Sequence, residues 1–143
     1  MDLTFTRIAE SELQLLRAWH TDPELQRRIS YPTAAWFAYV NTTGNFAWLI
    51  FANDIAVGYV QFGYEREASG SFAFAVNPSL RGQGYGKRIL HALLQRPEVL
   101  GLNTLEGFVE PDNIASQRCL IAAGFRLVSE TPDEEGMLKF VYP

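Results

Sequence analysis

Residues 71–95 read S-F-A-F-A-V-N-P-S-L-R-G-Q-G-Y-G-K-R-I-L-H-A-L-L-Q, and this stretch decides the fold. Its first part, Ser71–Val76, is a short apolar run typical of a strand, and Asn77-Pro78 ends it because proline cannot donate to a sheet ladder. From Gly84 to Gln95, leucines and an isoleucine recur at helical spacing. With glycines at positions 82, 84 and 86, the sequence predicts a strand, a glycine-rich loop and a helix in direct succession.

Strand and helix patterns alternate through the rest of the chain. Apolar alternation and aromatic-rich runs predict strands at Leu3–Ile8, Phe46–Phe51, Ile55–Tyr64, Thr104–Val109, Arg126–Ser129 and Met137–Tyr142. Helical spacing predicts helices at Glu10–His20, Pro23–Ile29 and Ile114–Ala123, and a further helix that starts at Thr33. We therefore expect one domain, residues 1–143, of α+β (mixed α/β) class, with a central twisted, mixed but mostly antiparallel sheet of six to seven strands and about four flanking helices.

Composition and charge exclude several classes of protein. The formal net charge is -4 and the pI is about 5.1, so the chain offers no basic field for nucleic acid. No apolar stretch approaches the roughly 20 residues that a membrane-spanning helix needs. No secretory signal is readable and Cys119 is the only cysteine, so we expect a cytoplasmic protein without disulfides. No cluster of candidate ligands predicts a metal site.

The loop R-G-Q-G-Y-G-K, residues 81–87, has the properties of an anion site. Backbone N–H groups at the start of a helix lack partners within the helix, and glycine allows positive φ and close approach of the backbone to a ligand. The helix dipole and the charges of Arg81, Lys87 and Arg88 also favour an anion. A plain tight turn uses glycines as well, so the loop alone leaves both interpretations open.

Two better-known phosphate motifs do not fit this loop. A P-loop requires G-x-x-x-x-G-K-[S/T], but Arg81 occupies the first glycine position and Arg88 follows Lys87. The dinucleotide fingerprint G-x-G-x-x-G fails because the third glycine comes one residue early, and because other strands precede the strand before the loop. The spacing therefore disfavours both motifs.

Two segments carry a resemblance to a known family. Residues 76–87 read V-N-P-S-L-R-G-Q-G-Y-G-K, and residues 109–125 read V-E-P-D-N-I-A-S-Q-R-C-L-I-A-A-G-F. They resemble the R/Q-x-x-G-x-G/A loop and the N-x-x-S/A…G-F helix of the GCN5-related N-acetyltransferase (GNAT) family, in particular its ribosomal-protein alanine and aminoglycoside 6'-acetyltransferase branch. The resemblance implies a GNAT-like fold, acetyl-CoA as cosubstrate, and direct acetyl transfer to a primary amine of a small molecule or a protein N-terminus.

The resemblance also implies where the cofactor binds. Backbone groups of the strand before the loop would bind the pantetheine arm, and the loop would hold the pyrophosphate. The implied cofactor-binding residues are Phe74, Ala75, Val76, Arg81, Gly82, Gln83, Gly84, Tyr85, Gly86, Lys87, Asn113 and Ser116. A helix N-cap is an equally good interpretation of Asn113, and the two roles are compatible.

The catalytic groups are less defined by the resemblance. Many relatives carry a tyrosine seven residues after the helix asparagine, and some carry a glutamate five residues before it, but this chain has Leu120 and Phe108 there. Ser116 matches a hydroxyl of the ribosomal-protein branch and is the candidate acid for the departing thiolate. Glu106, which matches a glutamate of that branch, and Glu110 are candidate bases on the strand face of Phe108. The alternatives are a solvent-facing serine and solvated edge charges.

Several alternatives stay open. The absence of both common catalytic residues is compatible with a non-catalytic domain that senses CoA or acetyl-CoA, and no motif decides between an acetyl and a longer acyl group. Cys119 suggests a covalent acetyl-cysteine route, although packing is the favoured interpretation of a helical cysteine. Trp19, Trp36, Phe37 and Tyr39 fall where the family builds its acceptor-binding helices, with core packing as the alternative. The sequence leaves open the acceptor and whether the protein is a monomer or a homodimer.

Overall fold

The computed structural model describes residues 2–143, and its sheet has seven strands. They are β1 (Leu3–Arg7), β2 (Asn45–Ala52), β3 (Ile55–Tyr64), β4 (Ser69–Val76), β5 (Thr104–Val109), β6 (Arg126–Leu127) and β7 (Leu138–Tyr142). Their spatial order is β1-β2-β3-β4-β5-β7-β6. The β1–β2, β5–β7 and β6–β7 pairs are antiparallel, whereas β4 and β5 are parallel. The predicted α+β fold with a mixed sheet is confirmed.

Six α-helices lie within residues 2–143, where the sequence predicted about four. They are α1 (Leu13–Trp19), α2 (Pro23–Arg28), α3 (Ala34–Val40), α4 (Tyr85–Leu93), α5 (Pro97–Leu100) and α6 (Ile114–Ala122). The predicted helices do not include α5, which begins at Pro97. In the structure this proline opens the first turn, where its missing N–H needs no partner. None of these helices combines the length and the apolar character that crossing a membrane requires.

Side-chain caps fix the starts of α2, α3 and α6. In each case the capping side chain accepts a hydrogen bond from the backbone N–H three residues further on. The distances are 3.0 Å from Leu25 to the Asp22 carboxylate, 3.1 Å from Trp36 to the Thr33 hydroxyl and 3.3 Å from Ser116 to the Asn113 amide oxygen. Gly124 closes α6 with a φ of +102°, and a Cβ there would lie 3.1 Å from the Tyr142 ring. Both the backbone conformation and the available space therefore require glycine at this position.

The chain divides into two compact units, the first of which contains the residues up to Phe62 together with Phe74–Tyr85. Helix α1 directs apolar residues at a three-residue spacing into the core of this unit. The buried members of that core are Ile8, Leu13, Leu16, Trp19, Leu25, Val40, Ala47, Leu49, Tyr59 and Ala75. They pack α1, α2 and α3 onto the strands that lead to the glycine-rich loop.

The second unit contains Gly63–Ala73 and Gly86–Pro143. Its parallel register runs from Ser69 opposite Thr104 to Phe72 opposite Gly107, and residues 105–109 of β5 also pair with β7. A Cβ on Gly107 would lie 3.2 Å from the Phe72 ring and 3.7 Å from Leu120. Glycine in the middle of β5 therefore makes room for two apolar side chains that pack directly on the strand.

Candidate active site

Asn77 holds the backbone that leads into the glycine-rich loop. Its N–H donates to the Val57 carbonyl at 2.8 Å, and its side-chain Nδ2 donates to the Ala56 carbonyl at 3.0 Å. Its Oδ1 accepts from the N–H and the hydroxyl of Ser79, at 3.1 and 2.9 Å, which caps the short 3-10 helix Pro78–Leu80. Asn77 therefore fixes the end of β4 and the position at which the loop begins.

The loop itself exposes its backbone. Gly82 and Gly84 adopt φ values of +77° and +85°, and a Cβ added to either would meet nothing within 4 Å. These glycines are therefore required by backbone conformation and not by crowding inside the protein. The N–H groups of Gly82, Gln83 and Gly84 donate no hydrogen bond to any part of residues 2–143. Alternation of positive and negative φ turns successive N–H groups toward one side, which is the arrangement of an anion-binding concavity.

Helix α4 follows the loop directly in the chain. Its buried face consists of Ile89, Leu90 and Leu93, each of which has no exposed surface. Lys87, in the first turn, is exposed, and Tyr85 and Gly86 are half-buried. The predicted helix is confirmed, and it begins at Tyr85 with the orientation that aims its partial positive charge at the loop.

Arg81, the first residue of the predicted cofactor loop, is held by a carboxylate 59 residues away in the sequence. Its two terminal nitrogens donate to the two oxygens of Asp22, at 2.9 and 2.6 Å. The hydrogen bonds from Arg81 lower the pKa of Asp22 to about 2, and the same pairing raises the pKa of Arg81. The positive charge that Arg81 was predicted to contribute to the loop is therefore paired with Asp22, at the N-terminus of α2.

The strand residues predicted for the pantetheine arm are the last three of β4. Phe74 and Val76 are half-buried, and Ala75 lies in the core of the first unit. The last residue pair in the register between β4 and β5 is Phe72 and Gly107. Phe72 lies four residues before Val76, where β4 ends. The prediction concerns the backbone of these residues, so their apolar side chains are compatible with it.

The second predicted motif forms the start of α6. Asn113 is the N-cap, as one of its two interpretations required, and its Oδ1 accepts from the backbone N–H of Ser116 at 3.3 Å. Ser116 is half-buried, and its hydroxyl forms no hydrogen bond with any residue in the described range 2–143. Gln117 donates to the carbonyls of Glu110 and Pro111, at 3.2 and 2.9 Å, which closes the turn before the helix.

Glu106 on β5 is a buried, paired carboxylate. It is 5% exposed, and its Oε2 accepts from Arg66 at 2.7 Å and from Lys139 at 2.9 Å. The alternative interpretation of Glu106 as a solvated edge charge is therefore wrong. A buried carboxylate needs such partners, because removing one charge of a buried pair leaves the other without compensation. Glu110, the second candidate base, follows the end of β5 and is half-buried.

The sheet face that carries Glu106 is open further along the strand. Phe108 is 42% exposed, although its strand has neighbours on both sides. Lys139 lies directly opposite Phe108 in the β5–β7 register, and Ala73 of β4 is also exposed. An uncovered aromatic ring beside Lys139 and its buried partner Glu106 therefore occupies this part of the second unit.

Trp19 of α1 and Trp36 of α3 contribute mainly to packing, whereas Tyr39 of α3 is 55% exposed. Trp19 stacks on Tyr59 with ring centroids 6.3 Å apart, and Trp36 meets the same ring edge-on at 6.3 Å. The indole N–H of Trp36 donates to Gln61 at 3.0 Å, and His20 lies 3.3 Å from the Tyr59 hydroxyl. Burial lowers the pKa of His20, so the ring is neutral at pH 7. The packing interpretation is therefore confirmed for Trp19.

These two motifs agree with a comparison against known families, because residues 2–126 match the family of acetyltransferase (GNAT) domains. The chain belongs to the GNAT family. The match includes the whole glycine-rich loop and the helix that starts after Asn113. GNAT membership identifies the protein as an acyltransferase with acetyl-CoA as cosubstrate.

Individual relatives agree with this assignment. The chain is 34% identical over 143 residues to the uncharacterized N-acetyltransferase YfmK of Bacillus subtilis (strain 168), which covers 96% of this chain and 94% of that one. It is 33% identical over 93 residues to the L-2,4-diaminobutyric acid acetyltransferase of Nocardia farcinica, and the match covers 54% of this chain and 48% of that protein. Its fold matches a crystal structure of aminoglycoside acetyltransferase AAC(6')-Ib in complex with coenzyme A, with a TM-score of 0.81, 17% identity and coverage of 99% and 94%.

Leucine replaces the tyrosine that many GNAT relatives carry in α6. Leu120, which occupies that position, is 1% exposed and packs over the bare backbone of Gly107. The side chain at this position is therefore part of the core. Phe108 occupies the position of the GNAT glutamate. In contrast to the buried Leu120, its ring is exposed to solvent. Neither side chain supplies a proton donor or acceptor.

Cys119 does not have the surroundings of a nucleophile. It lies half-buried in α6, and burial raises the pKa of its thiol, while the nearby charge of Lys87 acts in the opposite direction. A raised pKa keeps the thiol protonated at pH 7, whereas a nucleophilic cysteine requires the thiolate. These properties favour packing over the covalent route.

Sequence reasoning missed three charged partners of the predicted site residues. Asp22 was not predicted to pair with Arg81, because the two residues are far apart in the chain and their bond leaves no local pattern. Arg66 and Lys139, which hold Glu106, come from the β3–β4 turn and from β7. Strand register would have placed Lys139 two pairs along the β5–β7 ladder from Glu106, but the register itself depends on the tertiary fold.

Proposed function

We propose that this GNAT protein transfers the acetyl group of acetyl-CoA directly to a primary amine of a small molecule or of a protein N-terminus. The observation that carries the proposal is the exposed loop at residues 82–84, whose N–H groups have no acceptor within residues 2–143. Open N–H groups followed by a helix start favour a phosphate ligand. The GNAT relatives named above include enzymes that act on amines.

In the proposed CoA-binding site, backbone groups bind the cofactor more than side chains do. The diphosphate of CoA would accept hydrogen bonds from the N–H groups between Gly82 and Lys87, with Gln83, Gly84, Tyr85 and Gly86 as the intervening donors. The pantetheine arm would pair with the backbone of Phe74–Val76. Asn113 keeps its side-chain NH2 group for the cofactor arm, because its Oδ1 is used by the cap. These assignments are supported by the loop geometry and by the family resemblance.

Direct transfer requires two proton movements. The amine nitrogen attacks the thioester carbonyl and forms a C–N bond, and the C–S bond then breaks. The nitrogen gives up one proton, and the departing CoA thiolate takes one. We propose Ser116 as the donor to the thiolate, since its hydroxyl has no partner in the described chain and lies in the first turn of α6.

For the proton of the amine, we keep Glu106 and Glu110 as candidates. The two cations bound to Glu106 lie on Oε2, so its second oxygen is the atom that would accept a proton through water. Glu110 lies two residues beyond Phe108, where the strand has ended. A stable ion pair favours a structural task for Glu106, and Glu110 is therefore the better candidate for the relay.

Thiol release from acetyl-CoA tests the proposal. The purified protein is mixed with a panel of polyamines, amino acids, aminoglycosides and N-terminal peptides, and free CoA is followed by colorimetric thiol detection. Calorimetric titration with acetyl-CoA runs alongside. We expect cofactor binding together with release on at least one class of amine. Tight cofactor binding without release on any amine would support the non-catalytic sensor instead.

The other expectations for this protein concern its location and assembly. We propose a cytoplasmic enzyme whose partners are acetyl-CoA and an amine acceptor, without nucleic acid or membrane. Its net charge of -4 supports the part of this proposal that concerns nucleic acid. Sedimentation equilibrium with and without acetyl-CoA distinguishes a monomer from a homodimer.

A further inference from the structure

One ion pair connects the proposed cofactor loop to the N-terminus of α2. Both oxygens of Asp22 accept from the two terminal nitrogens of Arg81, and one of them also accepts from the backbone N–H of Leu25. The backbone N–H of Asp22 donates to the carbonyl of Trp19 at 3.1 Å. Trp19 and Leu25 are both buried, so the carboxylate is fixed to a packed part of the first unit.

The position of Arg81 makes this bond important for the loop. Asn77 holds the backbone four residues before Arg81, and the open N–H groups of Gly82–Gly84 follow Arg81 directly. The glycines have wide conformational freedom in solution, and a ligand that orders them must offset the entropy that they lose. A bidentate bond at Arg81 restricts the first residue of the loop before a ligand arrives.

We propose that Asp22 is a positioning residue for the cofactor, whose carboxylate holds Arg81 so that the N–H groups of Gly82–Gly84 are arranged before CoA binds. This inference rests on the proposed function of the loop. It gives Asp22 a role beyond the N-cap of α2, and it assigns Arg81 to the support of the loop. The diphosphate is then recognised by the backbone.

The alternative to a positioning role is that Asp22 competes with CoA for Arg81. If Arg81 bound the diphosphate with its own charge, Asp22 would compete for the guanidinium and weaken binding. Removal of the Asp22 charge would then tighten the complex. Positioning and competition therefore predict changes of opposite sign for the same substitution.

Asp22→Asn separates the ion pair from the helix cap. Asparagine caps helices as well as aspartate does, so the bond from the Leu25 N–H is retained while the charge is lost. We expect the Kd for CoA, measured by calorimetry, to rise about fivefold, which is the factor that corresponds to ~1 kcal/mol for a well-formed surface pair. The KM for acetyl-CoA should rise by a similar factor, whereas kcat at saturating acetyl-CoA should stay unchanged.

Glu24→Gln is the matched control. Glu24 is on the same helix and bonds to Arg27 and Arg28 at 3.3 and 2.8 Å. Its charge acts on Arg81 through space without forming a bond to it. This variant removes one negative charge near the loop and leaves the bond between Asp22 and Arg81 intact. Its Kd for CoA should therefore equal that of the unchanged protein or lie slightly below it.

Arg81→Gln and the double variant complete the test. If Arg81 supports the loop only through Asp22, Arg81→Gln should raise Kd to the same extent as Asp22→Asn, and the double variant should add nothing further. Thermal melts without ligand verify that each variant is folded. An unchanged or lower Kd for a folded Asp22→Asn protein would overturn the inference.

Gly84→Asp distinguishes failure of this inference from failure of the proposed function. If Gly84→Asp abolishes CoA binding while Asp22→Asn has no effect, the loop is the cofactor site and only the positioning role is wrong. If neither substitution changes Kd, the loop does not bind CoA and both proposals fail.

Discussion

Substitution of Gly84 by aspartate should weaken the affinity for CoA strongly with a much smaller effect on stability. A Cβ at Gly84 meets nothing within 4 Å, so the new side chain causes no clash inside the protein. The positive φ of +85° is unfavourable for a non-glycine residue by about 1–2 kcal/mol. The carboxylate, in contrast, would occupy the space that we assign to the diphosphate.

The expected loss of affinity follows from electrostatics. Two unit charges about 4 Å apart repel each other by ~1 kcal/mol in water and by ~4 kcal/mol at the effective dielectric of a protein surface. The diphosphate carries more than one charge, and the substituted loop also loses the free approach to its N–H groups. An intermediate value of ~2–3 kcal/mol corresponds to a rise in the Kd for CoA of about 30- to 150-fold.

Gly136→Asp provides a close control for this substitution. Gly136 has a φ of +81°, lies in the exposed turn before β7, and would also accept a Cβ without any contact within 4 Å. Both variants carry the same new charge and similar backbone strain, so their thermal melts should fall by a similar few degrees. Only Gly84→Asp should weaken CoA binding in a calorimetric titration. Equal affinities of the two folded variants would refute the assignment of the loop as the cofactor site.

Three other substitutions test the remaining parts of the site. Ser116→Ala should lower kcat by at least about tenfold, a larger factor than its effect on the Kd for CoA, and an unchanged kcat would remove this serine from the mechanism. Glu106→Gln should lower the melting temperature, because it leaves Arg66 and Lys139 without their buried partner; an unchanged melt would show that the ion pairs contribute little. Gly107→Ala should destabilise the protein by about 1–3 kcal/mol in denaturant titrations, since its methyl group would lie 3.2 Å from the Phe72 ring. A stability equal to that of the unchanged protein would mean that the ring moves aside freely.

The parts of the fold that local patterns encode were predictable from the sequence. The strand, loop and helix around residues 76–87, the cap residues Asp22 and Asn113, and the closing Gly124 all depend on neighbours within a few positions. Backbone sterics and capping bonds act at that range, so the corresponding sequence signals are strong.

The partners of the candidate site residues were not predictable in the same way. The bond between Arg81 and Asp22 joins residues 59 positions apart, and the bond between Arg66 and Glu106 joins residues 40 positions apart. No periodicity links such positions, because their contact depends on the completed fold. The burial of Leu120 over Gly107 is similar, since it requires the helix that follows β5 to pack on that strand. Charge pairing and packing at the site therefore depend on the tertiary structure.

The exposed ring of Phe108 would affect how the binding of any molecule to this face depends on temperature. About two fifths of this side chain contacts water in the structure, with an exposed fraction of 42%. A molecule that covers the ring releases the water around it, and burial of apolar surface makes the heat capacity of binding more negative. The affinity of an acceptor that covers this face would therefore give a curved van't Hoff plot. The affinity of an acceptor held only by ionic contacts beside Lys139 would instead depend mainly on the salt concentration.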